Sequence, residues 1–149
     1  MLAKHVALIQ ACFPEIYFAC HTRHASPEDN GGLTPRDSGL LAHIAALDGI
    51  EPASLARHLG RAKSTLSAAL KKLESLGYVT LHRPDNDARR RQLRITNAGR
   101  DCVSRTSVLE TDRLSAVLST LSPAQQRIAA EGIEILAAAC RSIPNQEDN

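Results

Sequence analysis

Between Lys63 and Leu76 the chain carries small, hydroxyl-bearing and cationic residues at intervals that a helix would gather on one side. At 3.6 residues per turn, Ser64, Ser67, Ala68, Lys71 and Ser75 share that side, with Thr65 and Lys72 on its flanks. Leu66, Leu70, Leu73 and Leu76 recur at spacings of three or four and form the opposite, apolar side. Hydroxyl and ammonium groups on a face without bulky residues suit a helix lying in a DNA major groove, because large side chains would hold the backbone away from the base edges. A Lys/Ser stripe is also the ordinary solvated face of a surface helix. The neighbouring segments weigh between the two.

Before this helix, a Pro52 start and the run Ser54 to Leu59 predict a short helix, ended by Gly60 as the turn residue of a helix-turn-helix. Gly77, able to take a left-handed conformation, predicts the end of the longer helix. Tyr78 to Arg83 and Gln92 to Thr96 then alternate apolar with polar residues, so that Val79, Leu81, Leu93 and Ile95 would face inward from two strands. The loop joining them, Pro84-Asp85-Asn86-Asp87-Ala88-Arg89-Arg90-Arg91, is a turn-forming run followed by three arginines. A basic hairpin tip beside a helix-turn-helix is a winged helix. The expected architecture is mainly α, with a two-stranded wing.

This stretch resembles the winged helix-turn-helix of the MarR family of bacterial transcriptional regulators. The resemblance is carried by Leu55-Ala56-x-x-Leu59-Gly60, Ser64-Thr65-Leu66-Ser67, Leu73-Glu74-x-Leu76-Gly77-Tyr78, and Asp87-x-Arg89 upstream of Ile95-Thr96-x-x-Gly99. It covers about a third of the chain; the flanking helices match in order and length. It implies that Arg89 enters a minor groove and that Asp87 positions it. Arg90 and Arg91 add charge beyond the family pattern, and the turn Arg61-Ala62-Lys63 is also more basic, which implies extra phosphate contacts. On this reading Ser64, Thr65, Ser67, Ala68 and Lys71 face bases, while Arg61, Lys63, Lys72 and Arg83 hold phosphates. Asp87, Arg89, Arg90 and Arg91 form the wing contact.

The whole chain fits that expectation. Its 149 residues suit one small domain, divided into a DNA-binding lobe over residues 34–96 and helices with a tail over 1–33 and 97–149. Apolar content is 43% but aromatic content only 3%, so alanine and leucine must supply the buried surface, which favours packed helices. Net charge is only +2, yet residues 57–94 hold ten Lys/Arg against three acids, and the remainder is net acidic. A basic segment on an acidic body is the electrostatic footprint of a polyanion-binding face. No long apolar run or signal-peptide pattern opens the chain, which places it in the cytoplasm and away from membranes.

Outside the lobe, Val6, Ile9, Phe13, Ile16 and Tyr17 predict a first helix from Met1 to His24, kinked or broken by Pro14 near residues 11–13. Ala25 to Leu33 predicts a mobile polar linker. Thr34-Pro35-Arg36-Asp37 opens a second helix whose buried face is Leu40, Leu41, Ile44 and Leu47. Thr96 caps a helix expected over residues 98–120, Ser122-Pro123-Ala124-Gln125 resembles a capping box for the last, and the tail beyond Ser142 should be disordered. The first and last helices carry more apolar surface than a small winged module can cover. Burial across a twofold axis resolves this, so these are dimerisation helices, and the partners are double-stranded DNA and a second copy. An inverted-repeat operator follows from that symmetry. The resemblance implies the role of repressor, with a small-molecule effector bound between the dimer helices and the lobe.

Two clusters stand apart. Cys12, Cys20, Cys102 and Cys140 have no C-x-x-C spacing and read as buried small hydrophobes. The resemblance adds the alternative of a thiol switch at Cys12 or Cys20, near Phe13 and Tyr17. Eight helical residues separate those cysteines by roughly 12 Å, so they cannot pair within an unbroken helix. Cys20, His21 and His24 have a spacing that could recruit zinc or haem, although such runs at helix ends also cap carbonyls; no cofactor is the primary expectation. Enzymatic readings fail on the residues. Gly60-Arg61-Ala62-Lys63-Ser64 lacks the glycines of a phosphate loop, and no hydrolase, zincin or dinucleotide motif is present. The runner-up is a winged-helix module that binds protein.

Overall fold

A computed structural model describes residues 1–21 and 31–143. Its elements run in the order α1 (Leu2–Cys20), α2 (Pro35–Ala46), α3 (Pro52–Leu59), α4 (Lys63–Ser75), β1 (Val79–His82), β2 (Gln92–Ile95), α5 (Asn97–Thr106), α6 (Thr111–Ser119) and α7 (Pro123–Ser142). The fold is mainly helical with one two-stranded antiparallel sheet, a winged helix-turn-helix with helices on either side of it in sequence.

The core lies within residues 33–103. Leu40, Leu41 and Ile44 of α2, Leu55 and Leu59 of α3, and Leu66 and Leu73 of α4 meet Val79, Leu93 and Ile95 of the sheet. Each fully buried leucine contributes about 1.5–3 kcal/mol, and their spacing fixes which face of each helix points outward. Leu76 departs from its stripe: it is 40% exposed, because α4 has ended and the chain is already turning toward β1. Gly60 (φ 62°) and Gly77 (φ 77°) supply the left-handed turns on either side of α4.

The caps fall where local chemistry puts them. Thr34 Oγ1 accepts from the Asp37 amide at 3.2 Å, and the Asp37 carboxylate accepts from the Thr34 amide at 3.4 Å. Ser122 and Gln125 repeat this box at α7 (3.3 and 3.0 Å). At α5, Thr96 Oγ1 accepts from the Gly99 amide at 3.0 Å. The sheet pairs Val79 with Ile95 and Leu81 with Leu93. Its other edge is stitched to the turn after α2, where the Gly49 amide donates to Leu93 O (2.7 Å) and the Leu93 amide to Ile50 O (2.9 Å). Asp48 Oδ1 accepts from the Ile95 amide at 3.0 Å, so this turn holds the base of the wing.

Several expectations need correction. The helix expected over residues 98–120 is two, α5 and α6, separated by extended backbone at Ser107. The break lets Leu109 bridge to His21 and lets the Glu110 amide donate to Cys20 O at 2.7 Å. The same contact ends α1 at Cys20 rather than His24, since His21 must become extended to make it. Pro14 sits inside α1 without breaking it. Part of the expected linker is held, not mobile: Leu33 is buried, and Tyr78 Oη donates to Gly31 O at 2.9 Å. The rest of the linker call, and the call on the tail beyond residue 143, lie outside the described residues.

His43 and His58, each in the last turn of its helix, meet edge to face with ring centroids 5.5 Å apart. Burial, then the nearby positive groups Arg141, His58 and Arg61, push the His43 pKa below its usual 6.5, while Glu134 opposes them. The folded state therefore favours neutral His43, whereas the unfolded chain binds a proton from about pH 6.5 downward. This contribution to stability is complete above that range and is lost as pH falls through the folded value. Thermal midpoints at pH 7.5 and 5.5 should drop further for the wild type than for His43→Gln.

Candidate nucleic-acid interface

The outward face of α4 is made by the core that holds its inner face. Lys63, Ser64, Thr65, Ser67, Ala68 and Lys71 are all exposed, while Leu66 and Leu73 are buried beneath them. Ser75, on the same side, is turned inward on its own helix, its hydroxyl donating to Lys72 O at 2.8 Å. Ala62, the N-cap, provides no side-chain acceptor, so the first amides of α4 remain open to an anion such as a phosphate. The sequence carries one local sign of that opening, a residue that cannot cap in the position before Lys63.

The wing tip is organised by Asp87. Its amide donates to Pro84 O (3.2 Å), its carbonyl accepts from the Arg90 amide (3.1 Å), and its Oδ1 accepts from the Arg89 amide (3.0 Å). The three successive arginines consequently part company. Arg89 is exposed and has no carboxylate partner among the described residues. Arg91 lines a recess of about 380 Å³ between α4 and the wing, with Lys63, Ser67 and Lys71 on the same rim and Glu74 as its one carboxylate. Arg90 folds back, its Nε donating to Glu51 Oε1 at 2.6 Å.

Two of the residues expected to touch nucleic acid are therefore committed within the chain. Arg90 is one; the other is Lys72, whose ammonium lies 2.6 Å from Asp37 Oδ2 and is only half exposed. That pair ties α4 to α2, and the Lys72 ammonium, against some opposing burial, holds the Asp37 carboxyl below the usual carboxylate range. Arg61, Lys63, Lys71, Arg83, Arg89 and Arg91 have no ion pair among the described residues. Six cations beside a hydroxyl-rich helix form a surface that can neutralise phosphates while presenting small donors and acceptors to base edges.

Residues 31–90, the whole of the helix-turn-helix and most of the wing, match the family model described as MarR family. Over that segment, 60 of its 149 residues, the chain resembles the MarR family. Solved MarR-type structures resemble it over most of its length. The transcriptional regulator Tm0710 from Thermotoga maritima is 22% identical with a TM-score of 0.56, over 93% of this chain and 94% of that one. A MarR-like regulator from the same organism, tm0816, is 17% identical with a TM-score of 0.55, over 91% and 95%. The MepR–DNA complex of S. aureus is 21% identical with a TM-score of 0.50, over 73% and 83%. At these identities the likeness is one of fold. No curated protein sequence matches the chain.

The MarR-family match stops short of the helices that carry the second cluster of candidates. Phe13 and Tyr17 stack at 6.4 Å and Tyr17 stacks on His21 at 4.4 Å. His21 Nδ1 lies 3.2 Å from Val108 O and fastens the end of α1 to the α5–α6 connection, while Nε2 lies 3.4 Å from the hydroxyl of Tyr17 on α1 itself. Cys20 and Cys102 are buried, whereas Cys12 and Cys140 are exposed, so the reading of all four as buried hydrophobes holds for only two. His24 lies outside the described residues. Among the described residues no helix is long and apolar enough to cross a membrane.

Proposed function

We propose that the chain works as a cytoplasmic homodimer that binds an inverted-repeat operator in double-stranded DNA, represses transcription, and is released by a small-molecule or oxidant signal. The observation that carries the reading is the exposed hydroxyl and ammonium face of α4 beside a wing whose Arg89 has no ion pair among the described residues. Ser64, Thr65, Ser67, Ala68 and Lys71 contact bases, Arg61, Lys63 and Arg83 hold phosphates, and Arg89, Arg91 and Asp87 make up the wing contact. Phosphate contacts supply most of the affinity and the groove-facing side chains choose the sequence.

Dimerisation is supported by the outer helices. Phe13, Phe18, Ile128, Ile133 and Ile135 are each more than half exposed, and α7 buries none of its residues within the chain. Pairing these faces about a twofold axis removes that surface from water and sets two copies of α4 for two half-sites. The aromatic run Phe13, Tyr17 and His21, with the exposed Cys12 beside it, is where an effector or oxidant would act on that arrangement.

Fluorescence anisotropy with a duplex from the promoter of its own gene tests this. A palindromic site should bind tightly, and affinity should fall about tenfold or more between 50 and 200 mM salt. Sedimentation should return twice the chain mass. Salt-insensitive binding, or equal affinity for a scrambled duplex, would favour the protein-binding module instead.

A further inference from the structure

We propose that Glu51 is a positioning residue that withholds Arg90 from the DNA backbone and leaves the wing contact to Arg89. This inference rests on the DNA-binding reading above. Glu51 stands at the N-cap of α3, yet its side chain makes no capping bond there; it reaches instead to Arg90, 39 residues away, at 2.6 Å. The two side chains are 37% and 54% exposed, so the pair contributes little to folding. Its consequence is electrostatic. Glu51 sets a carboxylate next to Pro52 and Ala53, which border the recess between α4 and the wing. Transfer of Arg90 to a phosphate would strand that carboxylate, unpaired, beside a polyanion. Arg90 therefore stays on Glu51, whereas Arg89, its amide held by Asp87, has no ion pair among the described residues.

The test is the salt dependence of duplex binding by four full-length proteins: wild type, Glu51→Gln, Arg90→Gln and the double variant. Each neutralised phosphate changes the slope of log affinity against log salt by about 0.9, which is roughly a threefold change in affinity for a fourfold change in salt. Arg90→Gln in the wild-type background should leave the slope unchanged. Glu51→Gln, which keeps the size of the side chain and removes its charge, should steepen the slope by about 0.9 per wing. The double variant should return to the wild-type slope. A merely structural role for Glu51 would shift thermal midpoints and not this slope. The proposal is overturned if Arg90→Gln alone flattens the slope, or if Glu51→Gln leaves it unchanged while the wild type binds. Should the wild type itself bind no duplex, the DNA-binding reading falls first and this inference with it.

Discussion

Replacing Arg89 by alanine should weaken duplex binding by about 5- to 150-fold, equivalent to about 1–3 kcal/mol, while the oligomeric state stays as in the wild type. Arg89 is the wing arginine whose amide is fixed and whose guanidinium has no ion pair among the described residues. Asp87 accepts its amide, Arg90 is drawn off by Glu51, and Arg91 lies in the recess beside α4. Truncation removes a groove contact and a neutralised phosphate together, so the salt slope should also flatten by about 0.9 per wing. Asp87→Ala should reproduce part of the loss by freeing the turn, even though it removes a negative charge that would otherwise repel DNA. Anisotropy titrations at matched salt measure all of this. Wild-type affinity in Arg89→Ala would show that the wing arginine is not a contact.

The largest expected effect on folding is at Gly99. A Cβ there would lie 2.2 Å from Tyr78 O, 2.8 Å from Ile95 Cγ1 and 3.1 Å from Tyr78 C. Two of these three are backbone atoms that cannot swing aside. The Tyr78 carbonyl is further pinned because it accepts from the Thr96 amide at 3.0 Å and from Thr96 Oγ1 at 3.1 Å. Gly99→Ala must pry the start of α5 away from the base of the wing, at a cost of at least about 2 kcal/mol. Urea denaturation should show a lowered midpoint with an unchanged slope. Gly39, in α2 with nothing within 4 Å of its would-be Cβ, is the control: Gly39→Ala should be neutral or gain up to about 1 kcal/mol. Equal midpoints for Gly99→Ala and the wild type would contradict the close approach.

The Gly99 contact also gives physical content to Ile95-Thr96-x-x-Gly99, which the sequence displays but cannot explain. Thr96 caps α5 while Ile95 ends β2, and only a residue without a side chain fits where the helix crosses the preceding strand. What was legible beforehand was local. Thr34-Pro35, Gly60, Gly77 and the leucine spacing each act within a few residues, and they placed α2, α3, α4 and both strands. The outward face of α4 followed from helical periodicity alone. What was not legible is tertiary. Nothing near Arg90 announces Glu51, 39 positions away, and nothing near Lys72 announces Asp37, 35 positions away. A count of cations therefore could not separate the free ones from the paired ones. The break between α5 and α6 escaped for the same reason, since its partner strand is residue 21, far up the chain. Irregular apolar spacing across residues 103–121 was its only local trace.

The chain holds four lysines, at positions 4, 63, 71 and 72, which permits a direct test of the claim that α4 lies against DNA. Lys63 and Lys71 are exposed on its outward face, Lys72 is engaged by Asp37, and Lys4 is exposed on α1, away from the lobe in sequence. Acetylation with and without the promoter duplex, read by mass spectrometry, should show Lys63 and Lys71 losing reactivity while Lys4 keeps its own. Lys63 and Lys71 remaining fully reactive at saturating duplex would contradict the account.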